Sequence, residues 1–402
     1  MNKKQLTLVI VLGLVIGGAG LYKYNQRQMP EKDAKMGAKL LGNFDVNAVA
    51  AVRIQNSSTV VNLAKTGDIW TVKERGDYPA NFNTLAEFVR KLADLKIVKP
   101  VQAGPSRLPV LELVPPDKKG PGAGVLVELK DSAGKPVKSL LLGAKHMGEG
   151  RGGGPMGGDG GWPNGRYVMV DGKQDSIALI SDALTQAEPK AEDWINKDFV
   201  KVEKLKAISV TSTNATNNWK LVRETESGEW KLADAKGDEK ADNSKCSGLN
   251  SLLQYAAFND VATNWKFDET NKPTTTAVLE TFDGFTYTAK AANKSGDDYY
   301  FQVSVAADLP KERTAGKDEK KEDKDKLDKE FKEKNQKLQE KLKTEKAYDK
   351  WTYVVSKWTV DNLLKERKEF LAEKKEEPKK DEAKKEEPLK LEVKPAGKAD
   401  AK

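Results

Sequence analysis

At 402 residues and a net charge of +8, the chain is long enough for about two or three domains, each burying its own core. Lysines and acids alternate almost everywhere, so no cationic stripe emerges to track a phosphate backbone, and nucleic acid is not an expected partner. One cysteine, Cys246, excludes an intramolecular disulfide, and one histidine, His146, leaves no catalytic triad or zinc ligand set to assemble.

The first element is an uncharged apolar run over residues 6–21, preceded by Lys3 and Lys4 and followed by Tyr22, Lys23, Tyr24 and Arg27. With its tyrosines it reaches the roughly 17 to 20 residues that a bilayer-spanning helix needs. Residues 1–27 are therefore expected to form a single-pass transmembrane helix in a bacterial inner membrane, inserted through residues 6–24, with the bulk of the chain periplasmic. A cleaved signal peptide, ending near Gly18 or Gly20, is the alternative. Residues 28–43 read as a linker.

From there the chain is written twice, as residues 44–198 and 199–373. The alternating run "VAAVRIQ" at 49–55 has its counterpart in "LKAISVT" at 205–211. "VNLAKTGDIWTV" then answers "WKLVRETESGEWKL", pairing Leu63 with Leu221 and Trp70 with Trp230, each a strand, a Gly-bearing turn and a strand. "PANFNTLAEFVRKLADLKIV" pairs with "KADNSKCSGLNSLLQYAAFNDV". Each is expected to hold one amphipathic helix, capped by Asn81 or Asn83 in the first copy and by Asp242 or Asn243 in the second. Further on, "GVLVELKD" answers "TAVLETFDG", "RYVMV" answers "YYFQV", and "SIALISDAL" answers "WTYVVSKWTVDNLL", which predicts two more strands and a short terminal helix per copy. The expected fold class is thus α+β: two tandem β-rich meander modules, each with one amphipathic and one short terminal helix, after an N-terminal transmembrane helix.

Two hairpin insertions break the symmetry. Residues 148–165, "GEGRGGGPMGGDGGWPNG", contain Gly148, Gly150 and Gly153 at dinucleotide-loop spacing, yet Pro155, Trp162, Pro163 and the strand "RYVMV" follow instead of a helix. No nucleotide and no other cofactor is expected there. A flexible surface loop is, with Met156 and Trp162 as contact residues for a partner. Residues 306–349 carry Leu327, Phe331, Leu338 and Leu342 on one helical stripe among lysines and glutamates. So thin a stripe either packs on the parent domain or meets a partner helix, or the segment stands as a solvated helical hairpin arm held by Lys/Glu pairs about one turn apart. Residues 374–402, Lys-, Glu- and Pro-rich, read as a disordered tail.

Little chemistry stands out. Cys246 reads as a small core residue and His146 as solvated. Asp297 and Asp298 read as a turn, because neighbours on a strand point apart. Trp70, Trp230, Trp194 and Trp358 are expected to pack cores.

The order of apolar N-terminus, "VAAVRIQ", "VVNLAKTGDIWTV", "YPANFNTLAEFVRKLADLK" and "KPTTTAVLETFDGFTYTAKAANKSGDDYYFQV" resembles a family of bacterial membrane-anchored domains of unknown function. The resemblance covers residues 5–371 in two copies. Its members are often encoded beside gliding-motility-type ABC transporters, which implies membrane or periplasmic protein partners such as transporter subunits. It carries no catalytic residues to transfer, and the glycine-rich loop, charged insertion and tail depart from its pattern. The expected function is a non-enzymatic accessory or scaffold protein of a transport or envelope complex. A glycan- or peptidoglycan-binding module is the alternative.

Overall fold

The computed structural model describes residues 36–118, 120–148, 162–314 and 321–373. Residues 6–24, Met156 and the tail at 374–402 lie outside them, so the expected transmembrane helix does too. Among the described residues no helix is long and apolar enough to cross a membrane.

Within these limits the architecture is mostly β, which corrects the α+β expectation. The first sheet is nine-stranded: β1 (Ala51–Gln55), β2 (Val60–Thr66), β3 (Ile69–Val72), β4 (Tyr78–Pro79), β5 (Ile97–Pro100), β6 (Val125–Lys130), β7 (Pro136–Met147), β8 (Pro163–Val170) and β9 (Ala178–Ile180). The second has eight strands: β10 (Leu205–Ser212), β11 (Trp219–Val222), β12 (Lys231–Leu232), β13 (Asp260–Ala262), β14 (Thr275–Thr281), β15 (Phe285–Ser295), β16 (Asp298–Ala307) and β17 (Thr352–Ser356). Three α-helices accompany them among the described residues: α1 (Phe82–Asp94), α2 (Lys321–Lys346) and α3 (Lys357–Leu364).

The sheets run in the order β4-β3-β2-β1-β6-β7-β8-β9-β5 and β12-β11-β10-β14-β15-β16-β17-β13. Leaving β4 aside, the two orders are the same when β1 is laid on β10. The register repeats as well: Val52 faces Leu63 and Leu129, while Ile208 faces Leu221 and Leu279. All six are fully or almost fully buried, as inward positions of a half-buried sheet must be.

The helices differ between the copies, for local reasons. In α1, Asn81 accepts the Thr84 backbone N–H, and Leu85, Phe88, Val89 and Leu92 face the core. The equivalent stretch of the second copy folds only as a 3-10 turn at Ser247–Ser251. Asp242 there accepts from the Ser244 backbone and hydroxyl, and Ser247 donates to the Ser244 carbonyl. Such bonds compete with helical ones, and Gly248 adds backbone entropy, so the expected amphipathic helix does not form. The expected terminal helix of the first copy is absent too. Strand β9 gives way to a loop in which Leu184 sits at φ 46°, outside the right-handed helical region. Only the second copy ends in a short helix, α3, and Trp358 on it is 70% exposed instead of capping a core. Trp194 is buried and edge-on to Phe88, 5.2 Å between ring centroids.

The two sheets share one continuous apolar core. At their junction Tyr78 of β4 meets three rings of the second copy edge-on: Trp351 at 5.0 Å, Phe258 at 6.0 Å and Tyr353 at 6.2 Å. Phe199, from the segment joining the copies, adds contacts with Phe258 and Tyr353. That segment also protects a sheet edge: Asn81 N–H donates to the Trp194 carbonyl and Asn196 N–H to the Pro79 carbonyl, each at 2.8 Å. Groups on β4 and just after it that a foreign strand would otherwise pair with are thereby occupied.

Candidate functional site

Of the six residues that the sequence marks as partner contacts, five are described, and they fall in two places. Trp162 stands at the start of β8, 90% exposed, where the glycine-rich insertion rejoins the sheet. The other four lie along α2 and do not share one environment. Leu338 and Leu342 pack against the main core. Phe331 is half-buried beside Leu338 in a cleft of about 220 Å³ closed by Phe282 and Pro310. Leu327 is 37% exposed. The stripe therefore divides: its C-terminal half seats the helix on the second sheet, while in its N-terminal half Phe331 is half-buried, Leu327 is exposed, and the neighbouring Asp328 pairs with Arg313 at 2.8 Å.

Polar groups fix that seating. Glu345, 4% exposed, accepts the Lys201 backbone N–H at 3.0 Å and the Tyr287 hydroxyl at 2.8 Å. Burial pushes its carboxyl above the usual carboxylate range, against the lowering pull of those bonds and of Lys341. Burial and the facing Glu345 in turn push the Tyr287 phenol up, so Tyr287 keeps its proton and donates. Lys341 donates to the Lys201 carbonyl at 2.7 Å and to Glu203 at 3.0 Å. Nearer the N-terminal end, Lys334 pairs with Asp283 at 3.1 Å.

A concavity of about 490 Å³ opens on the first sheet beside the junction. Arg75, in the 3-10 turn after β3, forms one wall. Its guanidinium grips Asp260 of β13 through two bonds, 2.5 and 2.8 Å, and Glu192 through a third, 3.1 Å. Burial works against its charge, but Asp260 and then Glu192 outweigh that and raise its pKa above the ordinary value. Asn56 and Thr59 of the β1–β2 turn, Lys145 of β7, Arg166 of β8 and the stretch 188–192 complete the lining. Arg166 is 6% exposed; its Nε donates to the Gly143 carbonyl at 2.8 Å and its Nη1 to the carbonyls of Ala183 and Leu184 at 3.4 Å.

Arg75, Lys145 and Arg166 were not marked by the sequence analysis. For Arg166 a signal existed: in "GRYVMV" it occupies the face of Val168 and Val170, both buried, so alternation alone placed a charge among inward positions.

The residues set aside as structural fall as follows. Cys246 is fully buried, and burial pushes its thiol up to about 11. His146 lies within 2.9 Å of the Asn164 side-chain oxygen. Asp298 opens β16 after the tight turn at Gly296, φ 56°. Among the described residues no group of His, Cys, Asp and Glu is arranged to hold a metal ion.

Comparison with known proteins adds one finding. Residues 155–277 match a domain of unknown function, DUF4340. The matched stretch begins in the glycine-rich insertion, takes in β8 to β13 and ends inside β14, so it spans parts of both sheets. No curated protein matches the chain, and no solved structure does.

Proposed function

We propose that the protein is a non-enzymatic accessory or scaffold subunit of an ABC-type transport or gliding-type envelope complex. In this reading the apolar residues 6–24 hold it at a bacterial inner membrane and the two sheets stand in the periplasm. The observation that carries it is the divided stripe of α2. Its C-terminal half is fixed by Leu338, Leu342 and Glu345, while Leu327 is exposed and Phe331 half-buried on a helix braced against the second sheet. A helix presented in this way suits a helical or grooved protein partner, with anchors one turn apart. The family resemblance, with its transporter neighbours, supports the same class of partner. Co-purification of the full chain in mild detergent tests it: an integral-membrane permease or periplasmic subunit is expected to accompany the wild type and to be lost from a Leu327→Glu, Phe331→Glu double variant that still folds. Recovery of no envelope subunit above background would overturn the reading.

One observation favours the alternative of an envelope-binding module. Trp162, almost fully exposed at the base of a glycine-rich hairpin, is the kind of aromatic face that stacks on sugar rings. Sedimentation with purified cell-wall sacculi, lost in Trp162→Ala, would support that reading over the scaffold.

A further inference from the structure

We propose that Lys145 and Arg166 form a binding site for a small oxyanion, the carboxylate or phosphate group of a ligand held in the 490 Å³ cleft of the first sheet. The proposal goes beyond the scaffold reading and does not depend on it.

Charge pairing around the cleft is uneven. Every carboxylate in its lining is already engaged. Glu74 accepts from the Asn62 backbone at 2.8 Å and side chain at 2.6 Å, Glu188 pairs with Lys190 at 2.8 Å, and Glu192 pairs with Arg75 at 3.1 Å. Arg75 is further neutralised by Asp260. Two cations remain: neither Lys145 nor Arg166 makes an ion pair among the described residues.

Their placement makes that notable. Lys145 and Arg166 are direct partners in the β7–β8 ladder. Like charges directly opposite across an antiparallel pair repel, and this pair is isolated from the solvent on the Arg166 side. Arg166 is almost fully buried, and among the described residues no carboxylate forms an ion pair with it to offset its desolvation. Burial lowers its pKa from the ordinary value, with Glu112 and Glu188 at longer range opposing that, yet a guanidinium stays charged.

The backbone is built around this guanidinium. The ladder shifts register between Leu142 and Lys145, a bulge that turns the Gly143 carbonyl to Arg166 Nε. Only glycine fits at 143, because a Cβ there would lie 2.2 Å from the Leu111 carbonyl oxygen. On the other side Leu184, held at φ 46° with its N–H on Asp182, supplies one of the carbonyls that accept from Nη1. Carbonyls thus occupy Nε and Nη1 and fix the plane of the group, leaving Nη2 as the edge with no hydrogen bond among the described residues. An oxyanion seated on that edge and bridged to the Lys145 ammonium would relieve the repulsion and supply the missing counter-charge. The second copy has no equivalent: alignment of "RYVMV" with "YYFQV" puts Tyr299 where Arg166 stands.

The test is a thermal-unfolding titration of the full chain in detergent with inorganic phosphate, with acetate, and with sodium chloride at matched ionic strength. Saturable stabilisation by phosphate or by acetate, beyond that of chloride, is expected, and the anion that gives it identifies the group bound. Lys145 is exposed, so Lys145→Glu should fold as the parent does; it is expected to weaken the apparent affinity about tenfold or more, the equivalent of one lost charge-assisted contact. Lys65→Glu, on β2 outside the cleft, is expected to leave it unchanged. If neither anion exceeds chloride, or if Lys145→Glu binds as tightly as the parent, the proposal fails.

Discussion

Tyr78→Ala is expected to uncouple the two sheets. Tyr78 is 2% exposed, so nearly its whole side chain leaves water on folding, and its ring partners all belong to the second copy. An aromatic side chain buries about 150–250 Å²; with roughly a third retained by alanine, the loss at ~25 cal/mol/Å² is about 3 kcal/mol. Edge-to-face contacts with three rings add about 0.5–1.5 kcal/mol, which places the change near 4 kcal/mol, within the range for aromatic truncation in cores. Urea unfolding followed by tryptophan fluorescence is the assay, because Trp351 lies 5.0 Å from the Tyr78 ring and reports on the junction directly. Tyr78→Phe, which keeps the ring, is expected to lose less than about 1 kcal/mol. A loss below about 1 kcal/mol for Tyr78→Ala would mean that the junction does not hold the sheets together and that the reasoning from the shared core is wrong.

Leu342→Ala is expected to cost about 1–2 kcal/mol, less than a fully buried leucine, whereas Leu327→Ala stays within about 0.5 kcal/mol; chemical denaturation of the two variants compares them directly. Because the folded-state pKa of Glu345 is raised, its contribution to stability is fully present below the ordinary value of 4.5 and is lost as pH rises through the raised one. The difference in stability between wild type and Glu345→Gln, measured from acid to neutral pH, is therefore expected to move in favour of the variant as pH rises; a difference that stays flat would refute the assignment. Cys246, fully buried with its thiol pushed up to about 11, is expected to resist iodoacetamide at about pH 8 until denaturant is added, which mass spectrometry of the alkylated protein can follow.

Strand positions were legible in the sequence where alternation faces a single core. The runs at 49–55 and 205–211 announced β1 and β10 because the side-chain period of two is fixed by the backbone. The α1 segment was equally readable, since its Asn81 cap and its leucines at helical spacing agree with each other. The second-copy segment carries apolar residues at similar spacing, but its Ser, Asn and Gly content tipped the backbone into local turns, a competition that spacing does not register. Trp358 failed for a different reason: chain position suggested a cap, and which face of α3 meets the sheet is decided by tertiary packing. The cleft was illegible for the same cause. Arg75 finds Asp260 across 185 residues, and no local pattern encodes a meeting at that distance.

The limits of the matched stretch have a practical edge. A piece of chain cut to residues 155–277 would carry β8 without its neighbour β7, β13 without its neighbour β17, and only the first residues of β14 to lie beside β10. Each orphaned strand would show an unpaired ladder to solvent and to other molecules, a known route to aggregation. Tyr78, Trp351 and Tyr353 would be gone as well, leaving Phe199 and Phe258 bare. What is recognisable as a unit of sequence is here not a unit of folding: the smallest piece expected to stand alone runs from Leu41, buried in the core, to Leu371, just past Phe370, which is buried against Trp219, and anyone expressing the domain by its sequence limits would be working with two broken halves.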